Sequence, residues 1–181
     1  MSVAIVTVDR QALPVALLPL PKSHLRVDGN FDDAYITNAM TRAIAKIEAA
    51  NDATINPTTV IWTPASTEFC DDVATLPVRP VTDFTAVAGS PPVDVSADYS
   101  VGLKWDGIHG IPIQILNGAA TAGLSVTLEL GFADQATLPP QLLDMILLHT
   151  GHLFEHREIL SADKNYVAPE VQDFTWWFPR V

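Results

Sequence analysis

Two stretches of the chain repeat their apolar residues at helical spacing, and the region between them repeats them at every second position. In "DGNFDDAYITNAMTRAIAKIEAAND" (28–52), Ile36, Met40, Ala43 and Ile47 fall on one stripe, which predicts an amphipathic helix. Asn30 is the expected N-cap. Asp32 and Asp33 suit the positive end of the helix dipole, and Lys46 suits the other end. A second helix is predicted over "LPPQLLDMILLHTGHLFEHREIL" (138–160), with Pro139 and Pro140 at its mouth, where a missing N–H does no harm. Its stripe is Leu142, Ile146, His149, Leu153, His156 and Leu160.

From about residue 57 to 135 the period changes to two. "TVIW" (59–62), "VTDFTAVA" (81–88), "DYSVGLKW" (98–105), "IPIQIL" (111–116) and "LSVTLELGF" (124–132) read as strands. Tyr99, Val101, Leu103 and Trp105 alternate with small or polar residues, as do Val126, Leu128, Leu130 and Phe132. "WDGIHGI" (105–111) carries the Asp-Gly signal of a hairpin turn. The expected fold is α+β: helices from the N- and C-terminal parts packed together, with an antiparallel β-sandwich or barrel-like insertion between them. The expected boundaries are an extended, Pro-punctuated arm at 1–20, a helical part at 21–56 and the β-rich insertion at 57–135. The C-terminal helix then takes 136–165 and an aromatic tail 166–181.

Composition narrows the function classes. The chain has 181 residues, enough for one core that buries roughly 70% of its extended surface. Hydrophobic residues make up 48%, against 17% charged, a balance that leaves apolar surface for contact with other subunits. The formal net charge is −11, with no Lys/Arg cluster of the kind that grips phosphates. Nine acidic residues against two basic ones fall within 57–135, so the negative charge concentrates on the β part. One cysteine, Cys70, can form no intrachain disulfide, as expected of a protein assembled in a reducing cytoplasm. "LPVALLPLP" (13–21) has the hydropathy of a signal-peptide core, but its three prolines, the preceding Asp9 and the missing small-x-small site argue against that reading. No run reaches the length of a membrane span, and no membrane partner is expected.

The string "HLFEH" (152–156) places His152, Glu155 and His156 in the H-x-x-E-H order of inverted zinc peptidases. His149 would supply a third imidazole from the preceding turn. A zinc-dependent hydrolase is therefore one reading. The other is a structural helix, since His149 and His156 continue the apolar stripe and no third carboxylate ligand stands at a suitable spacing. Adjacent carboxylates at Asp32–Asp33 and Asp71–Asp72 are read as solvated, with a paired-carboxylate catalyst as the lesser alternative. No nucleophile elbow or phosphate-binding glycine loop is present, and no cofactor is expected. The tail "FTWWFPR" either folds back on the chain's own core or anchors a partner through Phe174, Trp176, Trp177, Phe178 and Arg180, residue types that dominate interface hot spots.

The order of these features resembles the head–tail connector (adaptor) proteins of long-tailed bacteriophages and related gene-transfer particles. Lys22, Leu25, Arg26, Val27 and Asp28 match the family's approach to an acidic-capped helix, and "LPVRPV" (76–81) its Pro/Arg run into a sheet. Gly131, Pro140, Leu143 and Leu147 match a glycine bend before the second helix. Phe154, Glu155, Arg157 and Glu158 match its closing signature, with His156 where the family commonly has Asn. The match covers about residues 20–160, and the aromatic tail departs from the pattern. The resemblance implies a structural, non-enzymatic virion subunit, assembled in the host cytoplasm. It implies a homo-oligomeric ring of about twelve copies beneath the portal protein. That ring would extend the channel through which DNA passes without specific binding, and would present a surface to stopper or tail proteins. A stopper or tail-terminator ring protein is the neighbouring alternative. Arg26 and Arg157 are expected to be ion-paired and, with Glu155, to orient the helices, and the aromatic tail to dock on the portal or a neighbouring subunit.

Overall fold

A computed structural model describes residues 4–105 and 112–155. Two units emerge along the chain. Among the described residues, one takes 51–131 together with the N-terminal strand, and the other takes 12–50 and 132–155.

The first unit is an open sandwich of two antiparallel sheets. Eight strands run β1 (Ala4–Arg10), β2 (Thr58–Thr63), β3 (Val73–Thr75), β4 (Val81–Ala88), β5 (Val93–Asp94), β6 (Ser100–Trp105), β7 (Pro112–Asn117) and β8 (Ser125–Leu130). The larger sheet has the order β1-β2-β8-β4-β5 and the smaller β3-β7-β6. Their facing sides share one core: Val60 and Trp62 from β2, Ala86 and Ala88 from β4, Leu116 from β7, and Val126, Leu128 and Leu130 from β8. Alternation along β2 and β8 puts every second residue inside, as a pleated strand with one wet face requires. The insertion is thus a sandwich and not a closed barrel.

On β6 the expected face fails partway. Tyr99 is buried and Val101 half-buried, yet Leu103 is 65% exposed. β6 is the edge of the smaller sheet, so cover runs out along its length and the period of two survives without a core to meet. Strands β1, β3 and β5 escaped the periodicity reading. The last two are only three and two residues long, too short for a period to register. The Asp-Gly turn at Asp106 and Gly107 lies outside the described residues.

The second unit holds the helices α1 (Leu13–Leu17), α2 (Pro19–Leu25), α3 (Asp33–Asn51) and α4 (described over Pro140–Glu155). Within the expected arm at 1–20, the described residues take up regular structure. Residues 4–10 are extended but belong to the sheet, and 13–17 and 19–20 are helical. The prolines that read as breakers stand in the first turns of α1 and α2, where they are tolerated, and Leu13 and Leu17, one turn apart, are both buried. The stripe Ile36, Met40, Ala43 and Ile47 on α3 is fully buried, and Leu142, Ile146 and His149 on α4 are buried too. α3 begins at Asp33, so Asn30 is not its cap. Its side-chain oxygen instead accepts a hydrogen bond from the Lys22 ammonium at 3.2 Å. Tyr35 ties α3 to α4: its hydroxyl donates to the Leu153 carbonyl at 3.0 Å, and its ring meets that of Phe154 at 5.7 Å between centroids.

Candidate functional site

The histidine string is the first place to look for chemistry. His149 is 2% exposed on the buried face of α4. Burial holds its imidazole below the usual histidine value, and the positive charges of Lys46 and His152 push the same way. A neutral imidazole in an apolar stripe fills space. His152 is half-buried at the wall of an open cleft of about 530 Å3, together with His24, Leu25, Arg26, Phe154 and Glu155. Gly151 faces α2, and a methyl group there would make ordinary contact with Leu25 at 3.5 Å and His24 at 3.8 Å. Among the described residues no three His, Cys, Asp or Glu side chains come together as a metal-binding group. His156, the second imidazole of the zinc-like string, lies outside them.

Acid stability should report on His149. The unfolded chain takes up a proton on this imidazole near its ordinary value of about 6.5, whereas the fold holds it neutral to lower pH. That part of the stability is therefore complete above the ordinary value and is lost as pH falls below it. In His149→Leu, the drop in Tm between about pH 7.5 and pH 5.5 should be smaller than in the parent chain. An equal drop in both proteins would refute the assignment.

The Lys22-to-Asp28 motif is a helix stop followed by a pinned turn. Arg26 adopts the left-handed conformation (φ 55°). Its N–H donates to the Ser23 carbonyl and that of Val27 to the Lys22 carbonyl, the paired pattern of a Schellman cap. What Arg26 gives the helices is this backbone turn. Its side chain is exposed, on the cleft described above, and no ion pair joins it to a described residue. Lys22 spans the turn, reaching the Gly29 carbonyl at 2.5 Å, Asn30 Oδ1 and Asp33 Oδ1 at 2.6 Å. The acidic pair 32–33 therefore serves the turn through Asp33. Phe31, held inside this turn, is 99% exposed. Asp71 and Asp72 both have positive φ in an exposed turn before β3. Asp94 is held below the usual carboxylate range by hydrogen bonds from the Ser96 hydroxyl and N–H.

"LPVRPV" has a structural use. Arg79 is 4% exposed, and its guanidinium donates from Nε to the Asp52 carbonyl at 2.7 Å and from a terminal nitrogen to the Asn51 carbonyl at 2.8 Å. Its own carbonyl accepts from the Thr54 N–H. The run thus fastens the segment by which the chain enters the β unit.

Glu155 is exposed at the end of the described part of α4. Arg157, Phe174, Trp176, Trp177, Phe178 and Arg180 lie outside the described residues. The sequence reading missed the apolar side chains left in the open. These are Ile5, Val6 and Val8 on β1, Phe31, Val93, Leu103 on β6 and Leu148 on α4. The alternation in "AIVTVDR" (4–10) carried a signal for the first three, but the nearby prolines masked it.

No protein-family model and no curated protein matches the chain. Among solved structures it is similar to a chain in the neck of an empty gene transfer agent (GTA) particle with C6 symmetry. The TM-score is 0.65 at 18% identity, over 95% of this chain and 93% of the other. A chain in the virion of a native GTA particle is similar at TM-score 0.60 and 21% identity, over 91% and 90% of the two chains. A third, in the neck of a native GTA particle with C12 symmetry, gives TM-score 0.57 and 20% identity over 95% and 92%. The chain has, almost end to end, the fold of these GTA particle components.

Proposed function

We propose that this chain is a structural head–tail connector (adaptor) subunit of a tailed-phage or gene-transfer particle, located at the neck. It forms a ring beneath the portal, extends the DNA channel and offers the tail its attachment surface. The observation that carries this reading is the near end-to-end likeness to chains from particle necks, in which cyclic symmetry brings several copies of one chain around an axis. The order of motifs from Lys22 to Glu158 supports the same family. Charge supports the role: a net −11 without a basic cluster suits a conduit wall past which DNA slides, since attraction at each phosphate would hold it. The chain performs no catalysis in this account, and Phe174, Trp176, Trp177, Phe178 and Arg180 dock it on the portal or a neighbouring subunit.

Particles produced without this chain should accumulate heads and tails that do not join, and supplying the full chain should restore joining. A chain cut after Gln172 should fold with unchanged Tm yet fail to restore it. Normal joining without the chain would contradict the function. Restoration by the shortened chain would contradict the docking role of the tail.

A further inference from the structure

The two sheets of the sandwich have four edges, and these are unequal. β5 and β3, two and three residues long, give almost no ladder for another strand to join. β1 and β6, with seven and six residues, are of full strand length. Each of these also leaves large apolar side chains in water. Ile5 is 44% exposed and Val6 and Val8 57% each on β1, and Leu103 is 65% exposed on β6. Edge strands normally carry devices that stop them pairing: charges, prolines, bulges or a covering element. On β1 the register break between Thr7 and Asp9 and the charges of Asp9 and Arg10 lie toward one end. Among the described residues the Ala4–Thr7 half meets none of these devices, and every described side chain of the strand is exposed.

β6 borders a receiving space. An open cleft of about 660 Å3 lies beside it, lined by Val81, Phe84, Tyr99, Val101 and Leu103 among others. Asp9 on β1 and Lys104 on β6 give one pair of opposite charges between the two edges, with Arg10 at the end of β1. Two different edges that complement each other on one chain allow a head-to-tail contact. Such a contact generates a closed ring when the rotation per subunit divides the circle.

We infer that β1 of one copy joins the β6 edge of the next copy, continuing the sheet across the subunit boundary and seating the β1 valines toward the neighbour's cleft. This rests on the neck-ring reading above, since the cyclic symmetry of the similar neck structures is what makes a second copy the occupant. Main-chain hydrogen bonds supply the attachment, and the apolar side chains fix which strand is accepted.

Charge placement tests the pairing. Val6→Lys alone and Leu103→Glu alone each put a charge on one edge, and each should lower head-to-tail joining by about tenfold or more. Both positions are exposed, so each purified variant should keep the parent Tm. The double variant Val6→Lys/Leu103→Glu places a lysine against a glutamate at every boundary between copies and should recover most of the joining. Full joining with either single variant would overturn the inference, as would a double variant no better than the singles. Normal joining in particles that lack the chain altogether would instead remove the neck reading itself.

Discussion

Gly131→Ala should destabilise the β unit by about 3 kcal/mol, enough to shift its unfolding well below that of the parent chain. Gly131 follows β8 with φ +78°, a conformation that disfavours any side chain by about 1–2 kcal/mol. The space is also taken. A methyl group at this position would stand 2.7 Å from the Ile55 carbonyl oxygen and nearer still to that of Asn56. Both are backbone atoms, which cannot swing aside as a side-chain tip can, and overpacking of this kind adds about 1–3 kcal/mol. The Gly131 N–H is also tied to the Pro80 carbonyl at 3.3 Å, so relaxing the bend would loosen the entry to β4. Thermal or urea unfolding measures the change. A variant within about 0.5 kcal/mol of the parent would show that the bend is not fixed as described.

Replacing Arg79 by leucine should have a comparable effect through a different cause. The guanidinium is buried and donates to two successive carbonyls, Asn51 and Asp52. Leucine keeps much of the apolar stem but supplies no donor, leaving two carbonyl oxygens without this partner at roughly 1–3 kcal/mol for each that stays dry. A total of about 3 kcal/mol is expected. Its ion pair to Asp52 contributes little, because the separation is 3.6 Å and the Asp52 side chain is 90% exposed. Asp52→Asn, which removes the charge and keeps a residue suited to the left-handed backbone at this position (φ 48°), should therefore be nearly silent. Lysine should rescue Arg79 poorly, since one ammonium cannot reproduce the two directions of the guanidinium fork. Equal damage from Asp52→Asn and Arg79→Leu would place the stabilisation in the ion pair and refute this account.

The parts of the fold that were legible in the sequence are those where periodicity meets a core. The α3 stripe and the inward residues of β8 were readable because each buries one face along its whole length. Reading failed where a residue's effect depends on its place within an element. Pro14 and Pro19 looked like breakers and open helices instead. Asn30 looked like a cap and holds a lysine, because the helix starts three residues later. Leu103 kept the strand period after the opposing sheet had run out. The candidate assembly surface was the least legible part. An exposed apolar edge is defined by what fails to cover it, and no local pattern states that. The histidines were ambiguous for the opposite reason: one spacing serves a metal site and a buried helical face equally, and only the 2% exposure of His149 shows it filling space.

The central claim is that many copies of this chain surround a DNA channel at the neck of a particle. Electron microscopy of intact particles carrying a tagged copy, with the tag located in the averaged neck, tests it most directly. The account predicts a closed ring of copies coaxial with the channel, between portal and tail. A single copy, or a position on the head shell or along the tail tube, would contradict it.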